Sequence, residues 1–395
     1  MDLDLSDEHE LLRATVRAFA EERIAPVAEE LDREHRFPYD IVAGLAELGI
    51  MGVPIPEEHG GAGGDTLSYA IAIEELTRID SSVAITVAAH TSLGTMPILL
   101  FGSEEQKREL LPDLAAGRKL ASFGLTEPGA GSDAGATRTR AELVDDAWVV
   151  NGAKQFITNS GTDITSCVTV TARTGVRTGA SGEEKPEISA IIVPSGTEGF
   201  VVEPAYDKLG WHISDTHPLT FTDARVPAGN LLGERGRGYA QFLATLDDGR
   251  VAIAALAVGL IQACLEACVE YAGQRTTFGG PIGRKQGVAF QIADLEVAAQ
   301  AARALTYKAA AMKDAGKDRT HPQEFKRAAA VAKLYSSEAA VSATRTATQV
   351  FGGYGFMEEY PVARFYRDAK ILEIGEGTSE VQRMLIARGL GLPVE

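Results

Sequence analysis

Apolar residues in the first third of the chain recur at helical spacing. Leu12, Val16, Phe19, Ala20 and Ile24 fall on one face, Ser6 precedes them as an N-cap with acidic residues in the first turn, and Pro26 interrupts the run. Leu67–Ile79 and Ser82–Phe101 repeat the pattern across short polar turns. Ser103 with Gln106 forms a capping-box signature that opens a further helix running toward Gly117. These signals predict a helical domain over residues 1–120.

From about Ala121 the period shortens to two. Thr137–Leu143, Trp148–Val150, Ser166–Ala172, Ile188–Val193 and Leu219–Val226 read as strands. Asn151-Gly152, lying between Trp148-Val149-Val150 and Gln155-Phe156-Ile157-Thr158, predicts a two-residue hairpin. Thr174–Lys185 lacks apolar periodicity and predicts an exposed loop. The middle domain is therefore expected over 121–232. Beyond the Gly-rich turn Gly233–Gly238, Ala-rich helical segments return at Phe242–Gln274, Gln286–Ala315, Pro322–Val350 and Ser379–Arg388, which predict an antiparallel bundle over 233–395. The order helical, β, helical excludes a simple βαβ sheet and gives an α+β architecture with a C-terminal four-helix bundle.

At 395 residues and 45% hydrophobic, the chain is long enough for two or three cores. Its 55 acidic against 38 basic residues set a formal charge of −17, which opposes association with nucleic acid and anionic membranes but leaves room for a local anion pocket. Met1–Glu10 is acidic, without the order of a signal or transit peptide, so a cytoplasmic location is expected. The longest uninterrupted apolar run, Val251–Ile261, falls short of the roughly 18 residues of a membrane span. No membrane insertion is expected. Cys167, Cys264 and Cys268 are too few and too odd in number for a disulfide framework, and they read as packing residues rather than metal ligands.

Phe123–Asp133, with its run Thr126-Glu127-Pro128-Gly129-Ala130-Gly131-Ser132-Asp133, has small residues that let backbone N–H groups approach a ligand. It is neither a Walker loop nor a Rossmann fingerprint, and composition alone leaves a tight structural turn open. This string resembles the first signature of the acyl-CoA dehydrogenase family. The resemblance extends along the chain through KQFITN at Lys154–Asn159, RTTFG at Arg275–Gly279, QVFGGYGF at Gln349–Phe356 and RDAKILEIGEGTSEVQR at Arg367–Arg383, in the family's order.

The resemblance implies FAD as cofactor and an acyl-CoA thioester as substrate. Phe123, Leu125, Thr126 and Ser132 match positions that hold the flavin, with Ser132 also near the thioester; Phe156 and Thr158 match residues that cover the ring. Phe156 stands where relatives commonly carry Trp, keeping the aromatic wall without the indole donor. Arg275, Thr277, Phe278, Gln286, Gln349, Gly352 and Gly353 match contacts made to the FAD of a neighbouring subunit, and Thr378 and Glu380 match further flavin positions. Asp247, Arg250 and Gly377 match substrate-side positions, although Asp247 and Arg250 can equally be read as a helix-surface ion pair.

By the same resemblance Glu376, within Gly375-Glu376-Gly377-Thr378, is the base that faces the substrate α-carbon. One branch of the family places its base just before an Arg on a bundle helix; here Gly249 holds that place and cannot accept a proton. Burial is expected to raise the Glu376 pKa toward working pH. His90–Pro97 and Ala244–Leu246 are expected to line the acyl end, and Gly375, standing where a bulky residue is common, leaves room for an α-methyl branch. The resemblance implies a short or short branched acyl-CoA as substrate, fatty-acid β-oxidation or branched-chain amino-acid catabolism as setting, an electron-transfer flavoprotein as acceptor and a homotetramer built as a pair of dimers. An acyl-CoA oxidase, a flavin monooxygenase on the same fold and a non-catalytic helical scaffold are the competing readings. An oxidase is expected to carry an added C-terminal domain, a monooxygenase needs no carboxylate at 376, and a scaffold would show no flavin absorption.

Overall fold

The computed structural model describes residues 5–178 and 182–394. Helix α1 (Asp7–Phe19) starts at Ser6, whose Oγ accepts the His9 N–H, and continues into a single π turn, Ala20–Ile24, before Pro26. The N-terminal helices follow as α2 (Ala28–Glu34), α3 (Tyr39–Glu47), α4 (Thr66–Ile79), α5 (Ser81–Ala88), α6 (Met96–Phe101) and α7 (Glu104–Ala115). The Ser103–Gln106 capping box forms with both of its hydrogen bonds. A π turn at Ala89–Thr95 joins α5 to α6, so the expected helix over Ser82–Phe101 is one rod with a wide turn in its middle.

The sheet comprises β1 (Leu120–Gly124), β2 (Arg140–Val144), β3 (Ala147–Thr158), β4 (Thr165–Thr178), β5 (Glu184–Pro194), β6 (Phe200–Val202), β7 (Thr216–Pro227) and β8 (Leu231–Leu232), ordered β6-β7-β3-β2-β4-β5-β8 with β1 parallel to β4. Strand alternation sends Val168, Val170, Ile191 and Val193 into the sheet's own core, while Cys167, Ala190 and Ile192 pack with Ile98, Leu111 and Phe242 of the helices.

Two sequence expectations fail here. Asn151-Gly152 makes no hairpin: β3 runs straight through it, and the reversal is made by Asp145-Asp146, with φ of 49° and 62°, between Val144 and Ala147. Both Asp residues take the left-handed conformation that a type I′ turn requires. Gly152 instead marks a register shift against β7, where a Cβ would meet the Thr139 side chain at 2.5 Å, and Asn151 pairs with Asp223. The Thr174–Lys185 loop is also mostly strand, because Arg177 pairs with Lys185 and Thr178 with Glu184; residues 179–181 lie outside the described ones. Backbone pairing to a neighbour sustains these polar residues without an apolar face.

The last third contains α8 (Gly238–Gln274), α9 (Gln286–Asp314), α10 (Lys317–Thr320), α11 (Pro322–Phe351), α12 (Pro361–Ala369) and α13 (Ser379–Gly389). Helix α8 is the axis of the main core, packed by α4, α9 and α11, with Val251–Ile261 wholly buried. Ser81–Phe101 and Gly238–Gln274 are long and apolar enough to cross a membrane by composition, yet most of each lies buried within the chain. Cys167, Cys264 and Cys268 are buried free thiols, as packing residues should be.

Candidate active site

The approach to Glu376 is a series of tight turns. After α12, residues Lys370–Glu373 form a 3₁₀ turn, and the N–H groups of Ile374 and Gly375 both donate to the Ile371 carbonyl at 3.0 and 2.8 Å. Glu376 then takes a left-handed backbone with φ of 54°, and Gly377 follows at 94°. A left-handed residue other than Gly, Asn or Asp is uncommon and costs of order 1 kcal/mol or more, so neighbouring contacts must hold it. They do so on the C-terminal side. Thr378 Oγ1 caps α13 by accepting the Val381 N–H, Gln382 Nε2 donates to the carbonyls of Glu376 and Gly377 at 3.3 and 2.9 Å, and Lys333 Nζ donates to the Gly377 carbonyl at 2.8 Å.

Held this way, the carboxylate points inward at α8. Its Oε2 is sealed from solvent with no hydrogen-bond partner. The space it occupies exists because position 249 has no side chain: a Cβ there would lie 2.8 Å from Glu376 Cδ and overlap Oε2. Burial pushes the carboxyl up to about 7, against the opposing pull of the Lys333 and Arg250 cations. Glu376 and Gly249 thus share one site, which puts the two alternative base positions seen in the sequence face to face.

Around this carboxylate, Arg250 is almost fully buried and paired with Asp247, while Asp248 pairs with Lys313 at 2.6 Å. The surface-pair reading of Asp247 and Arg250 therefore fails, since the helix turns both into the protein. Within His90–Pro97, the segment expected at the acyl end, three side chains bond to backbone carbonyls elsewhere. His90 Nε2 donates to the Leu114 carbonyl, its Nδ1 accepts the Ala121 N–H, and Thr91 and Ser92 bond to the Met51 and Ala88 carbonyls. Leu93, carried on the π turn, is the member that comes within 3.3 Å of a Cβ built at 249. Interruptions of this kind re-aim side chains at functional sites.

The Gly-rich loop is anchored by a feature the motif reading did not single out. Lys154, wholly buried on β3, lies 2.8 Å from Glu127 Oε1 and also donates to the Leu125 carbonyl at 3.3 Å and to Thr171. Glu127 further accepts the N–H groups of Arg138 and Thr139 and the Thr137 hydroxyl, and Lys154 together with these donors holds its carboxyl down at about 2 against the opposing effect of burial. Gln155 N–H donates to the Thr126 carbonyl at 2.8 Å. A Lys at an inward strand position was the available signal. The pair fixes Leu125 and Thr126 against the strand that carries Phe156 and Thr158.

Phe123 is half-buried and stacks on Phe242 at 4.0 Å, whereas Ser132 lies exposed on the loop. Phe156 adopts φ of 61°, is 62% exposed and leans on Tyr206 at 5.2 Å. Far along the chain, Arg275, Thr277, Gly352, Gly353, Tyr354 and Met357 line a second cleft, with the Arg275 guanidinium over the Tyr354 ring at 5.4 Å. Nothing lies within 4 Å of a Cβ built at Gly352 or Gly353, and Phe278, next to Thr277 in the chain, is 95% exposed. Gln286 opens α9 and Gln349 stands near the end of α11, both exposed; Glu380 is exposed in the first turn of α13. An aromatic wall, hydroxyl donors and an exposed guanidinium beside bare glycine backbone suit a flavin and its pyrophosphate. No cluster of three or more potential metal ligands occurs among the described residues.

The acyl-CoA dehydrogenase N-terminal, middle and C-terminal domains match residues 6–118, 122–224 and 236–391. A probable acyl-CoA dehydrogenase of Bacillus subtilis is 47% identical over 99% of this chain and 100% of its own length. The butyryl-CoA dehydrogenase of Megasphaera elsdenii superposes with a TM-score of 0.92 at 43% identity, covering 99% of this chain and 100% of its own. An acyl-CoA dehydrogenase of Bacillus anthracis solved with FAD gives a TM-score of 0.90 at 34% identity, covering 99% of this chain and 70% of that one. The chain belongs to the acyl-CoA dehydrogenase family, a family of FAD-dependent enzymes.

Proposed function

We propose that the protein oxidises a short or short branched acyl-CoA to its trans-2-enoyl-CoA, with Glu376 removing the α-proton. The observation that carries this reading is the Glu376 carboxylate: inward-facing, unpartnered at Oε2 and raised to about 7, it has the proton affinity of a general base working near neutrality. FAD, when bound, would supply the hydride-accepting chemistry. Leu125, Thr126, Ser132, Phe156 and Thr158 would hold its ring, with Phe123 behind them and Thr378 and Glu380 at its edge. Arg275, Thr277, Phe278, Gln286, Gln349, Gly352 and Gly353 of a neighbouring copy would reach its pyrophosphate and adenine.

Proton removal places negative charge on the thioester oxygen. The Glu376 N–H has no backbone acceptor among the described residues and is available to that oxygen, an oxyanion-type contribution in a cleft poor in water. Asp247, Arg250 and Gly377 stand on the substrate side. Leu93 and Leu246 bound the acyl end, and Gly375 leaves the α-carbon uncrowded, which favours a short or branched chain. The exposed Phe278 and Phe356, at 95% and 87%, favour an assembly in which a second copy covers them, and a homotetramer is the reading adopted. An electron-transfer flavoprotein is the proposed acceptor.

Glu376→Gln tests the base. It should fold and retain flavin while losing turnover by ~10²–10⁴; near-normal turnover would remove Glu376 from the role. Rates with butyryl-, isobutyryl-, 2-methylbutyryl- and octanoyl-CoA test the substrate class, and a clear octanoyl preference would reject the short-chain reading. Rapid reoxidation of the reduced enzyme by oxygen would favour the oxidase alternative.

A further inference from the structure

We propose that Lys333 is a positioning residue for Glu376: its buried ammonium clamps the Gly377 carbonyl, holding the left-handed turn that aims the carboxylate, and its charge favours the ionised base. The inference rests on the reading of Glu376 as base and deepens it. Lys333 lies in the interior of α11, distant in sequence from the Glu376 turn, and its side chain is fully buried. A buried Lys without a carboxylate in contact is rare, because an unpaired ammonium is costly to desolvate. Among the described residues its ammonium donates to the carbonyl of Gly377, the residue after the base, at 2.8 Å.

Gln382 shares the Gly377 carbonyl at 2.9 Å but carries no charge, and the surrounding charges set Lys333 apart. On α8, Arg250 is bound to Asp247, and Asp248 is bound to Lys313 from the end of α9. Lys326 acts on Asp247 and Asp318 on Asp248, both one step removed from the base. Glu373, in the turn before the base, is bound to Lys370, and Glu338 of α11 is bound to Arg383 of α13. Tyr69 of α4 faces Glu376 as a neutral phenol, its hydroxyl donating to the Ala88 carbonyl. Among the described residues Lys333 is left as the cation hydrogen-bonded to the turn itself, with no carboxylate in ion-pair contact. Burial pulls its own pKa down to about 8, which leaves it mainly protonated at neutrality, and its charge is the largest influence opposing the rise at Glu376.

The test is the acid limb of kcat/KM in Lys333→Met, Lys333→Gln and Lys333→Arg, read beside infrared titration of the Glu376 carboxyl, its band assigned by loss in Glu376→Gln. Removing the charge should move both the limb and the band alkaline by about one pH unit. From a starting value near 7, that lowers the ionised fraction at pH 7 roughly fivefold. Lys333→Arg, which keeps the charge and a donor, should restore the limb. A limb and band at the wild-type pH in Lys333→Met, or in Lys333→Gln if the Met variant does not fold, would overturn the inference while leaving the base in place. Full activity in Glu376→Gln would instead overturn the base reading itself.

Discussion

Replacing Gly249 with alanine should leave the protein folded and disable its chemistry. In the interior of a helix this change is worth about 0.5–1 kcal/mol in favour of the folded state, since alanine has less backbone freedom to lose. Opposing it is a steric conflict: the new Cβ would lie 2.8 Å from Glu376 Cδ and overlap Oε2, with Leu93 Cδ2 3.3 Å away. Because the obstacle is the tip of a side chain, the backbone can stay where it is and the carboxylate swings aside. The displacement is on the order of 1 Å, and misplacing a reacting group by that much costs about 10²-fold, or about 2.7 kcal/mol of barrier. Steady-state kcat/KM with butyryl-CoA and a dye acceptor, alongside thermal melting of the same preparation, separates the two effects. The expected pattern is a melting temperature equal to or above wild type with activity down about a hundredfold. Since the damage acts through residue 376, adding G249A to E376Q should cost little more than E376Q alone. Wild-type kcat/KM in G249A would refute the apposition of the two positions, and a collapsed melting temperature would show that Gly249 serves helix packing instead.

Two further outcomes concern stability. Lys154→Met strands Glu127 as an uncompensated buried charge and should cost about 3–5 kcal/mol in chemical denaturation, with Glu127→Gln in the same background recovering much of it; a loss below 1 kcal/mol would show that the pair is not buried in solution. In the wild type, the Glu127 carboxyl sits below its ordinary value, so its contribution is complete above about pH 4.5 and is lost as pH falls toward 2. Asp368, buried beside Asp80 with its oxygens accepting from Ser81 and the Trp211 N–H, is pushed up to about 7, so the unfolded chain releases this proton first and stability falls as pH rises from about 4 to 7. Asp368→Asn should flatten that slope in urea titrations across the window; an unchanged slope would assign it elsewhere.

Local rules explain what was legible in the chain. The Ser6 cap, the Ser103–Gln106 box and the helical spacing along α4, α8, α9 and α11 need only neighbours in sequence, and the structure forms each of them. The strands were legible as strands but not in their extent or their turns. Asn151-Gly152 carries the stronger local hairpin preference, yet the reversal occurs at Asp145-Asp146, because pairing of β3 with both β2 and β7 decides which pair is free to turn. Polar Thr174–Thr178 reads as loop for a similar reason, since a strand held by its partner needs no apolar face.

The sequence indicated the class of chemistry through the resemblance of five motifs, in order, to the acyl-CoA dehydrogenase family; a Glu between glycines would by itself read as a surface carboxylate. What the sequence left undecided was the proton affinity of the Glu376 carboxyl. Burial in the space left at Gly249 raises that affinity, and the cations of Lys333 and Arg250, on helices distant in the chain, pull it back down. Desolvation and Coulomb interactions depend on distance in space, not on distance along the backbone, so only the folded packing of α8, α11 and the turn before α13 sets them.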